Sequence, residues 1–586
     1  MGVVNIKSLV ISDIVVKIGL EIHQQLDTHK LFCMCPSKLS DRADFKFSRR
    51  LRPVISEMGQ LDRAAIQERR KGRTVEYCAC RANSCAVEWD EEPPHEMNRE
   101  ALETALQFSR LMHARPVDEI QVMRKILIDG SAVSGFQRTA LVATGGEVSG
   151  IPVQAICLEE DSARPVKHRE GRAVFNVDRL GTPLIEIATA PEIASGEQAK
   201  KVAKAIGEHL RMLKVKRGVG TIRQDINIST PEGARVEIKG VQDLDLIPKI
   251  VDFEISRQQH LAKLAPRLKK VKFTKPVDVS KAFTKTASKI FSGKKVYAVV
   301  AKNASGLFSQ KIHKGKHLGR EIAEYVKAYG FGGFIHTDED MKKYKIDAEL
   351  ASVKKRLKAT DKDLVILAAG SPEPLNLAVE RVHQLSNGVT EDTRRANLDG
   401  SSSFLRPLPT GARMYPETDV PPIRPFRVKD PETPEKRLKM LKKILPEQIA
   451  VRLHTSPDYC IFRDLGSAPI LGFVLTQQVP AMRRAGKKVT KEHLQTLLKV
   501  YGGEKGSALT DLLNRIVSGE KILQAKKVGE SEARAFVKQL IKDRKEYIHK
   551  NPNAVKGLMG VFMKKFQGKY PGKLAAKIIQ EELDNL

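Results

Sequence analysis

The sequence has no apolar run that approaches the roughly 18 residues needed to span a bilayer. Near its start, Lys7 and Asp13 interrupt the apolar residues, which argues against a leader or anchor in that segment. We therefore expect a cytoplasmic protein that does not enter a membrane. The low hydrophobic content typical of disordered chains is not seen here. Hydrophobic residues make up 41% of the chain and charged residues 29%, which excludes a disordered chain. At 586 residues, several domains are expected.

The usual nucleotide-binding motifs are missing. No GxxxxGK[ST] loop occurs, and Gly218-Val219-Gly220 lacks the third glycine of a dinucleotide fingerprint. Thr144-Gly145-Gly146 is similar to the threonine turn of asparaginase-type amidohydrolases, but Glu147 follows where that motif would continue. We interpret it as a glycine turn. Any nucleotide site must therefore be built from other groups.

Positive charge is in large excess, with 101 Lys and Arg against 70 Asp and Glu and a net charge of +31. A chain this basic repels itself unless a polyanion or an acidic partner neutralises part of the charge. A nucleic-acid partner and an organism-wide bias toward basic residues both explain this composition. The charge alone favours nucleic acid only slightly.

Residues 15–260 alternate between strand-like and helical patterns, which predicts a mixed α/β domain. Strands are expected over Ile14–Ile22 and Ile222–Ile228, and helices over Asn98–Met112 and Gly196–Leu213. From about Leu261 the chain is rich in Lys and predicts a second α/β region, inserted into the first.

Beyond Pro431 the pattern is almost entirely helical, with an interruption at Gly502-Gly503. The predicted fold class is therefore α+β and multidomain: a large mixed α/β domain, an inserted α/β domain, an all-α helical domain and a helical tail domain. The predicted boundaries are 1–263 for the large domain, 264–405 for the insertion, 406–432 for the return, 433–503 for the helical domain and 504–586 for the tail.

Acidic residues form three groups within the first predicted domain. Alternation in IGLEIHQQL puts Glu21 and His23 on one face of a strand, although a polar surface strand would look the same. Glu159, Glu160 and Asp161 are consecutive and need a cation such as Mg²⁺ if they are buried, whereas a solvated turn would not.

The third acidic group lies on a predicted hairpin. Two alternating strands joined by Pro231-Glu232-Gly233 can aim Asp225 and Asn227 toward the same face as Glu237 and Lys239. If the fold brings the three groups together, they form a metal site able to hold the phosphates of a nucleotide, with Lys239 and Arg223 balancing charge.

Five of the seven cysteines lie in the first 85 residues: Cys33, Cys35, Cys78, Cys80 and Cys85. In a reducing compartment such clustering favours a metal over disulfides, and these thiolates are numerous enough for a tetrahedral Zn²⁺ site. Buried cysteines without a metal remain an alternative.

At these segments the sequence resembles the B/E family of subunits of tRNA-dependent amidotransferases, and it is most similar to the archaeal E-type branch. The stretches that resemble the whole B/E family are residues 18–39, 157–166, 179–193 and 221–244. The stretches that resemble the E-type branch in particular are 85–94, 406–423 and 557–583. The inserted domain resembles the insertion domain of bacterial-type aspartyl-tRNA synthetases.

This resemblance implies ATP-dependent conversion of Glu-tRNA(Gln) into Gln-tRNA(Gln) through a γ-phosphorylated glutamyl intermediate, in a cradle domain that binds ATP and Mg²⁺. It assigns catalytic roles to Glu21, His23, Glu159, Glu160, Asp225, Glu237 and Lys239. Of these, Glu21, His23, Glu159, Glu160 and Glu237 are the implied Mg²⁺ ligands, and Arg223, Asn227 and Lys167 are the implied nucleotide contacts.

The resemblance also implies partners. The chain shows no Cys-His glutaminase pattern and no amidase Ser/Lys signature, so ammonia must come from another protein. In the family this is the asparaginase-like D-type glutaminase, in an assembly of two D and two E subunits, and the Lys/Arg-rich helical and tail domains would hold the outer part of tRNA(Gln). The alternatives are a non-catalytic tRNA-binding protein that kept the fold and a synthetase-like enzyme that charges tRNA directly.

Overall fold

The computed structural model describes residues 16–585, with gaps at 57, 73, 170–171, 314, 412–413, 418, 505, 521–527, 552–553, 567–569 and 571. The chain divides into two compact units, Met1–Thr433 and Pro434–Leu586. The first unit is mixed α/β and the second is helical, which confirms the predicted classes of structure. No described helix combines the length and the apolar character that crossing a membrane requires.

A twelve-stranded sheet organises the first unit. Along its main path the strands run in the order Ser402–Pro407, Asp392–Ala396, Val236–Val241, Ile222–Ser229, Lys17–Gln25, Pro183–Thr189, Ile151–Glu160, Phe136–Thr144, Val122–Ile126 and Met414–Pro416. The short strands Arg115–Pro116 and Glu147–Val148 pair beside this path. Strand Lys17–Gln25 lies in the middle and is antiparallel to both of its neighbours.

One face of this sheet is apolar and packs on helices Arg99–Leu111, Gly196–Leu210 and Ile247–Lys269. Asn98 and Ser195 cap the first two helices by accepting hydrogen bonds from backbone N–H groups three residues ahead. Leu20 and Ile22 are almost completely buried in this core. Because successive residues of a strand point to opposite faces, the other face of the central strand carries Glu21 and His23.

Three smaller sheets complete the described part of the first unit, and the smallest pairs only Lys311–His313 with Lys316–His317. A second contains Phe45–Arg49, Thr74–Ala79, Arg172–Asn176 and Arg164–Arg169. The third, the inserted sheet, contains Lys272–Phe273, Val277–Asp278, Val296–Lys302, Ile335–His336 and Leu364–Ala369, with helices Leu318–Ala328, Asp347–Arg356 and Glu373–Ser386. These strands and helices lie, along the chain, between helix Ile247–Lys269 and strand Asp392–Ala396 of the large sheet.

The chain returns to the large sheet earlier than the sequence indicates. The hairpin formed by Asp392–Ala396 and Ser402–Pro407 already belongs to that sheet, and the predicted boundary at 405 lies inside it. The stretch from Asp392 to Ser403 is polar and contains a glycine, a composition typical of a connecting segment. Two of its charged side chains are nevertheless buried, since Asp392 is 2% exposed and Arg394 is fully buried, whereas Arg395 is exposed.

A buried group of ion pairs joins this hairpin to the inserted sheet. Arg394 donates to both carboxylate oxygens of Glu321 at 2.7 and 2.9 Å. Arg257 donates to Glu321 at 2.8 Å and to Glu254 at 2.8 Å. All four side chains are fully buried. Burial acts to raise the pKa of Glu321, but Arg394, Lys316 and Arg257 lower it well below its ordinary value.

The second unit consists of helices alone among its described residues. Its first group is Pro434–Lys442, Glu447–Leu453, Tyr459–Asp464, Pro469–Phe473, the π-helical turn Val474–Gln478, Val479–Arg484, Lys491–Val500 and Gly506–Val517. Its second group is Glu530–Asp543, Lys545–Lys550, Ala554–Phe566 and Gly572–Asp584. Leu494 and Leu513 share one core, so the cores divide after Val517, whereas the sequence predicts a boundary at Gly502-Gly503.

Replacing Glu321 with Gln should destabilise the first unit by about 3–5 kcal/mol, because it leaves the buried guanidinium groups of Arg257 and Arg394 without a full counter-charge. Urea unfolding followed by fluorescence and circular dichroism would measure the change. Glu349→Gln, a half-buried residue of helix Asp347–Arg356, is the control and should change stability by less than about 0.5 kcal/mol. Equal stability of the two variants would contradict a structural role for these ion pairs.

Candidate functional site

The polar face of the large sheet lines a cavity of about 440 Å³. Strand pairing places Glu21 opposite Asp225 and His23 opposite Glu186, so their side chains emerge side by side. The acidic residues that line the cavity are Glu21, Asp129, Glu159, Asp161, Glu186, Asp225 and Glu237. The three acidic groups separated in sequence therefore contribute to one cavity.

Glu159 and Glu186 form the first carboxylate group of the cavity. Lys125 Nζ lies 2.9 Å from Glu159 Oε2 and 3.1 Å from Glu186 Oε2. His23 Nε2 lies 3.3 Å from Glu186 Oε2 and 3.6 Å from Glu159 Oε1. Burial acts to lower the pKa of His23, but the hydrogen bond and charge of Glu186, with the charge of Glu159, raise it to about 9. At neutral pH His23 is thus a second cation beside these two carboxylates.

Glu21, Asp225 and Glu237 form the second carboxylate group. Lys239 Nζ lies 2.6 Å from Asp225 Oδ2 and 2.6 Å from Glu237 Oε1. Burial acts to lower the pKa of Lys239, but these two carboxylates raise it, so the ammonium stays charged. Burial, followed by the charge of Glu186, raises the pKa of Glu21 to about 7.

Backbone geometry and a neighbouring hydroxyl hold this second group in place. The register between Ile222–Ser229 and Val236–Val241 shifts by one residue, and Gly240 adopts a φ of 81° at the bulge. Its N–H donates to Asp225 Oδ1 at 3.1 Å. Thr393, on the strand after the insertion, donates from Oγ1 to Glu237 Oε2 at 2.9 Å. Asp225 is therefore held by the backbone of Gly240, which lines the cavity, and Glu237 by Thr393, which does not.

The two groups differ in charge balance. Lys125 and protonated His23 match the two charges of Glu159 and Glu186. In the second group, Lys239 faces three carboxylates, so two negative charges remain when Glu21 is ionised. Burial and then the charge of Glu186 raise the pKa of Glu21 most, and the charges of Glu237 and Asp225 add to this effect. A divalent cation would neutralise this excess negative charge. Two sets of cavity residues could hold such a cation, and Glu21 belongs to both.

These two sets are Glu21 with His23 and Glu186, and Glu21 with Asp225 and Glu237. In each set the ligand atoms all lie within 4.8 Å of one another. Carboxylate oxygens are the ligands that Mg²⁺ prefers, and the second set contains only carboxylates. If His23 ligates a metal, it must first release its proton.

Of the remaining predicted site residues, some line the cavity and others do not. Arg223 and Asn227 line the cavity, and Arg223 Nη2 lies 2.9 Å from Asp161 Oδ1. Glu160 points away from the cavity and accepts the backbone N–H of Arg138 at 3.1 Å. Lys167 lies on strand Arg164–Arg169 of the separate four-stranded sheet, so its strand does not line the cavity.

The cysteines form a second cluster, which is made of Cys33, Cys35, Cys85 and Glu88. Their ligand atoms lie within 4.8 Å of one another, and Cys33 Sγ is 3.0 Å from Glu88 Oε1. A hydrogen bond from Cys33 lowers the pKa of the Cys35 thiol to about 7. Of the predicted ligands, Cys78 and Cys80 lie in and just after strand Thr74–Ala79 and do not join this cluster.

Four contributors to these sites were not identified from the sequence: Lys125, Glu186, Thr393 and Glu88. Glu186 could have been found, because PLIEIAT alternates like a strand and sets Glu186 apart from apolar neighbours. Glu88 follows Cys85 by three residues, which is one helical turn. Lys125 and Thr393 carry no local signal, because their partners are distant in sequence.

Comparison with known proteins identifies the family of this chain. Residues 16–427 match the family described as the GatB/GatE catalytic domain. Proteins named as the E subunit of glutamyl-tRNA(Gln) amidotransferase are similar over nearly the full length of both chains. The one from Archaeoglobus fulgidus is 42% identical over 97% of this chain and 98% of its own.

The corresponding E subunits of Pyrococcus furiosus and Methanocaldococcus jannaschii are 41% and 39% identical, over 93% and 97% of this chain and 94% and 98% of their own. The matched region contains both carboxylate groups and the inserted sheet. The chain therefore belongs to the GatB/GatE family, as a member of the GatE branch of tRNA-dependent amidotransferase subunits.

Proposed function

We propose that this protein activates the γ-carboxylate of glutamate on tRNA(Gln) with ATP and forms the amide with ammonia from a glutaminase partner. A carboxylate is a poor acceptor for ammonia, whereas an acyl phosphate carries a good leaving group. The observation that carries the proposal is the convergence of two carboxylate groups on one cavity, with Lys125 and Lys239 bound among them. The names of the GatE relatives agree with this activity.

The donor set fits Mg²⁺ at the second carboxylate group. Glu21, Asp225 and Glu237 offer only oxygen ligands within 4.8 Å of one another, and they carry two negative charges beyond those that Lys239 balances. Bound there with ATP, Mg²⁺ would neutralise phosphate charge and orient the nucleotide. The resemblance includes Glu159 and Glu160 among the metal ligands, but the contacts of Glu160 favour a structural role beside Arg138.

The cationic side chains around the cavity would balance phosphate charge, contact the nucleotide and hold a proton. Lys239 would balance charge that develops on the transferred phosphate, and Arg223 on the same wall would contact the nucleotide. Lys125 bridges Glu159 and Glu186, so a cation that enters the first group competes with its ammonium. His23 holds a proton between the same carboxylates and can pass it on when their charge changes.

The other predicted parts of the assembly extend this proposal. The first unit would be the cradle domain with its synthetase-like insertion, which receives the acceptor end of the tRNA. The Lys/Arg-rich second unit would contact the outer part of the tRNA through phosphate charges. Ammonia would come from an asparaginase-like D-type glutaminase in an assembly of two D and two E subunits. Zinc would bind at Cys33, Cys35, Cys85 and Glu88, whose thiolates and carboxylate are ordinary zinc ligands.

The activity is tested with the full chain, its glutaminase partner, Glu-tRNA(Gln), glutamine, ATP and Mg²⁺. Glu21→Gln and Glu237→Gln should each lower the rate of Gln-tRNA formation at least about 100-fold, because each removes a ligand charge from the proposed metal site. Acid-gel separation of the aminoacyl-tRNAs would measure product. Glu147→Gln, an exposed residue of the same domain, is the control and should retain the wild-type rate.

Wild-type rates in both cavity variants would refute the proposed site. If the wild-type protein binds Glu-tRNA(Gln) but forms no Gln-tRNA and consumes no ATP, the chain is a tRNA-binding protein without this activity.

Zinc is tested separately. Cys85→Ser should remove most of the bound zinc measured by mass spectrometry of the purified, chelator-washed chain, because it deletes one of the three clustered thiolates. Cys78→Ser, a buried cysteine outside the cluster, is the matched control and should keep the wild-type zinc content. Equal zinc in the two variants, or none in the wild-type protein, would exclude the cluster as a zinc site.

A further inference from the structure

The strand Asp392–Ala396 has two different environments on its two faces. It runs parallel to Val236–Val241, with Thr393 opposite Glu237 and Arg394 opposite Ile238. Because successive side chains alternate, Thr393 reaches the Glu237 carboxylate while Arg394 reaches the inserted sheet. One strand therefore contacts both the proposed metal site and the insertion.

On the site face, Thr393 supplies a single, fully buried hydrogen bond. Its hydroxyl donates to Glu237 Oε2 at 2.9 Å, while Glu237 Oε1 faces Lys239 Nζ at 2.6 Å. Thr393 is 0% exposed and Glu237 is 7% exposed, so water does not readily replace this donor. With both oxygens engaged, the carboxylate plane of Glu237 is fixed relative to Glu21 and Asp225.

On the insertion face, the same strand is anchored by charge. Arg394 donates to both oxygens of Glu321, which lies on helix Leu318–Ala328 of the insertion. Asp392 Oδ2 accepts from Arg381 Nη2 at 2.5 Å. These paired contacts set the position of the strand from the inserted region, none of whose described residues lines the cavity.

We propose that Thr393 is a positioning residue for the metal site: its hydroxyl orients Glu237 for a divalent cation, and the ion pairs of Arg394 hold Thr393 in register from the insertion. This inference rests on the proposed function, because it assumes that Glu237 ligates the cation. Thr393 itself touches neither the cation nor the substrate.

The test is Mn²⁺ binding to the full-length protein, measured by isothermal titration calorimetry, for Thr393→Val and Thr393→Ser. Thr393→Val keeps the shape but removes the donor, so the Mn²⁺ dissociation constant should rise roughly 10- to 100-fold, as for other residues that orient a metal ligand. Thr393→Ser keeps the hydroxyl and should bind Mn²⁺ within about twofold of wild type. Thr104→Val is the control, because Thr104 is buried but its hydroxyl bonds only its own helix at Glu100 O.

A merely structural role would lower the melting temperature of Thr393→Val without changing its Mn²⁺ affinity, and that result would overturn the inference. If Thr393→Val does not fold, Thr393→Ser decides, because loss of Mn²⁺ binding in that folded, hydroxyl-bearing variant would contradict a positioning role. Absence of Mn²⁺ binding in the wild-type protein would overturn the proposed metal site and this inference together. Weaker binding in Glu237→Gln with normal binding in Thr393→Val would overturn the inference alone.

In the complete reaction, the Mg²⁺ concentration for half-maximal rate should rise in Thr393→Val while the KM for Glu-tRNA(Gln) stays unchanged. An equal rise of both quantities would indicate general damage to the domain and would contradict the inference.

Discussion

The register of the central strand, Lys17–Gln25, is the constraint on which the rest of the site depends. Its apolar residues are held in the core by three helices, and this leaves no freedom in the direction of Glu21 and His23. A slip of one residue against either neighbour would exchange the two faces and bury carboxylates in the apolar core. The hydrophobic effect on one face therefore positions the charges on the other.

Collecting carboxylates in one cavity has an electrostatic cost, and the fold offsets it unevenly. Glu159 and Glu186 each contact two cations, Lys125 and His23, so their charges are largely matched. Glu21 has no such ion pair among the described residues, and its pKa of about 7 means that this carboxyl group is partly protonated near neutral pH. A site with this imbalance favours a cation that can displace that proton.

Local alternation was enough to predict part of this site. IGLEIHQQL predicts that Glu21 and His23 share a face, and the hairpin pattern groups Asp225, Asn227, Glu237 and Lys239. All six residues line the cavity, while their roles stay predictions. Glu160 was misplaced because three consecutive acidic residues give no sign of which ones face the cavity until the strand partners are known. Lys125 depends on the order of strands in the sheet, and long-range order of this kind leaves no trace in a short window of sequence.

The same limit explains the hairpin after the insertion, whose polar, glycine-containing sequence does not reveal its place in the large sheet. Arg394 is buried against Glu321, which is distant in sequence, and buried ion pairs add little net stability over apolar residues of the same size. Buried ion pairs do, however, restrict the register in which a strand can pack. An apolar residue at Arg394 could pack against the insertion in either of two registers, whereas a guanidinium bonded to both oxygens of Glu321 accepts only one. A slip by one residue that brought Thr393 to the place of Arg394 would leave Glu321 facing a hydroxyl and would bring Asp392 to Glu237, so the ion pairs of Arg394 oppose that slip and keep Thr393 on the face of Glu237.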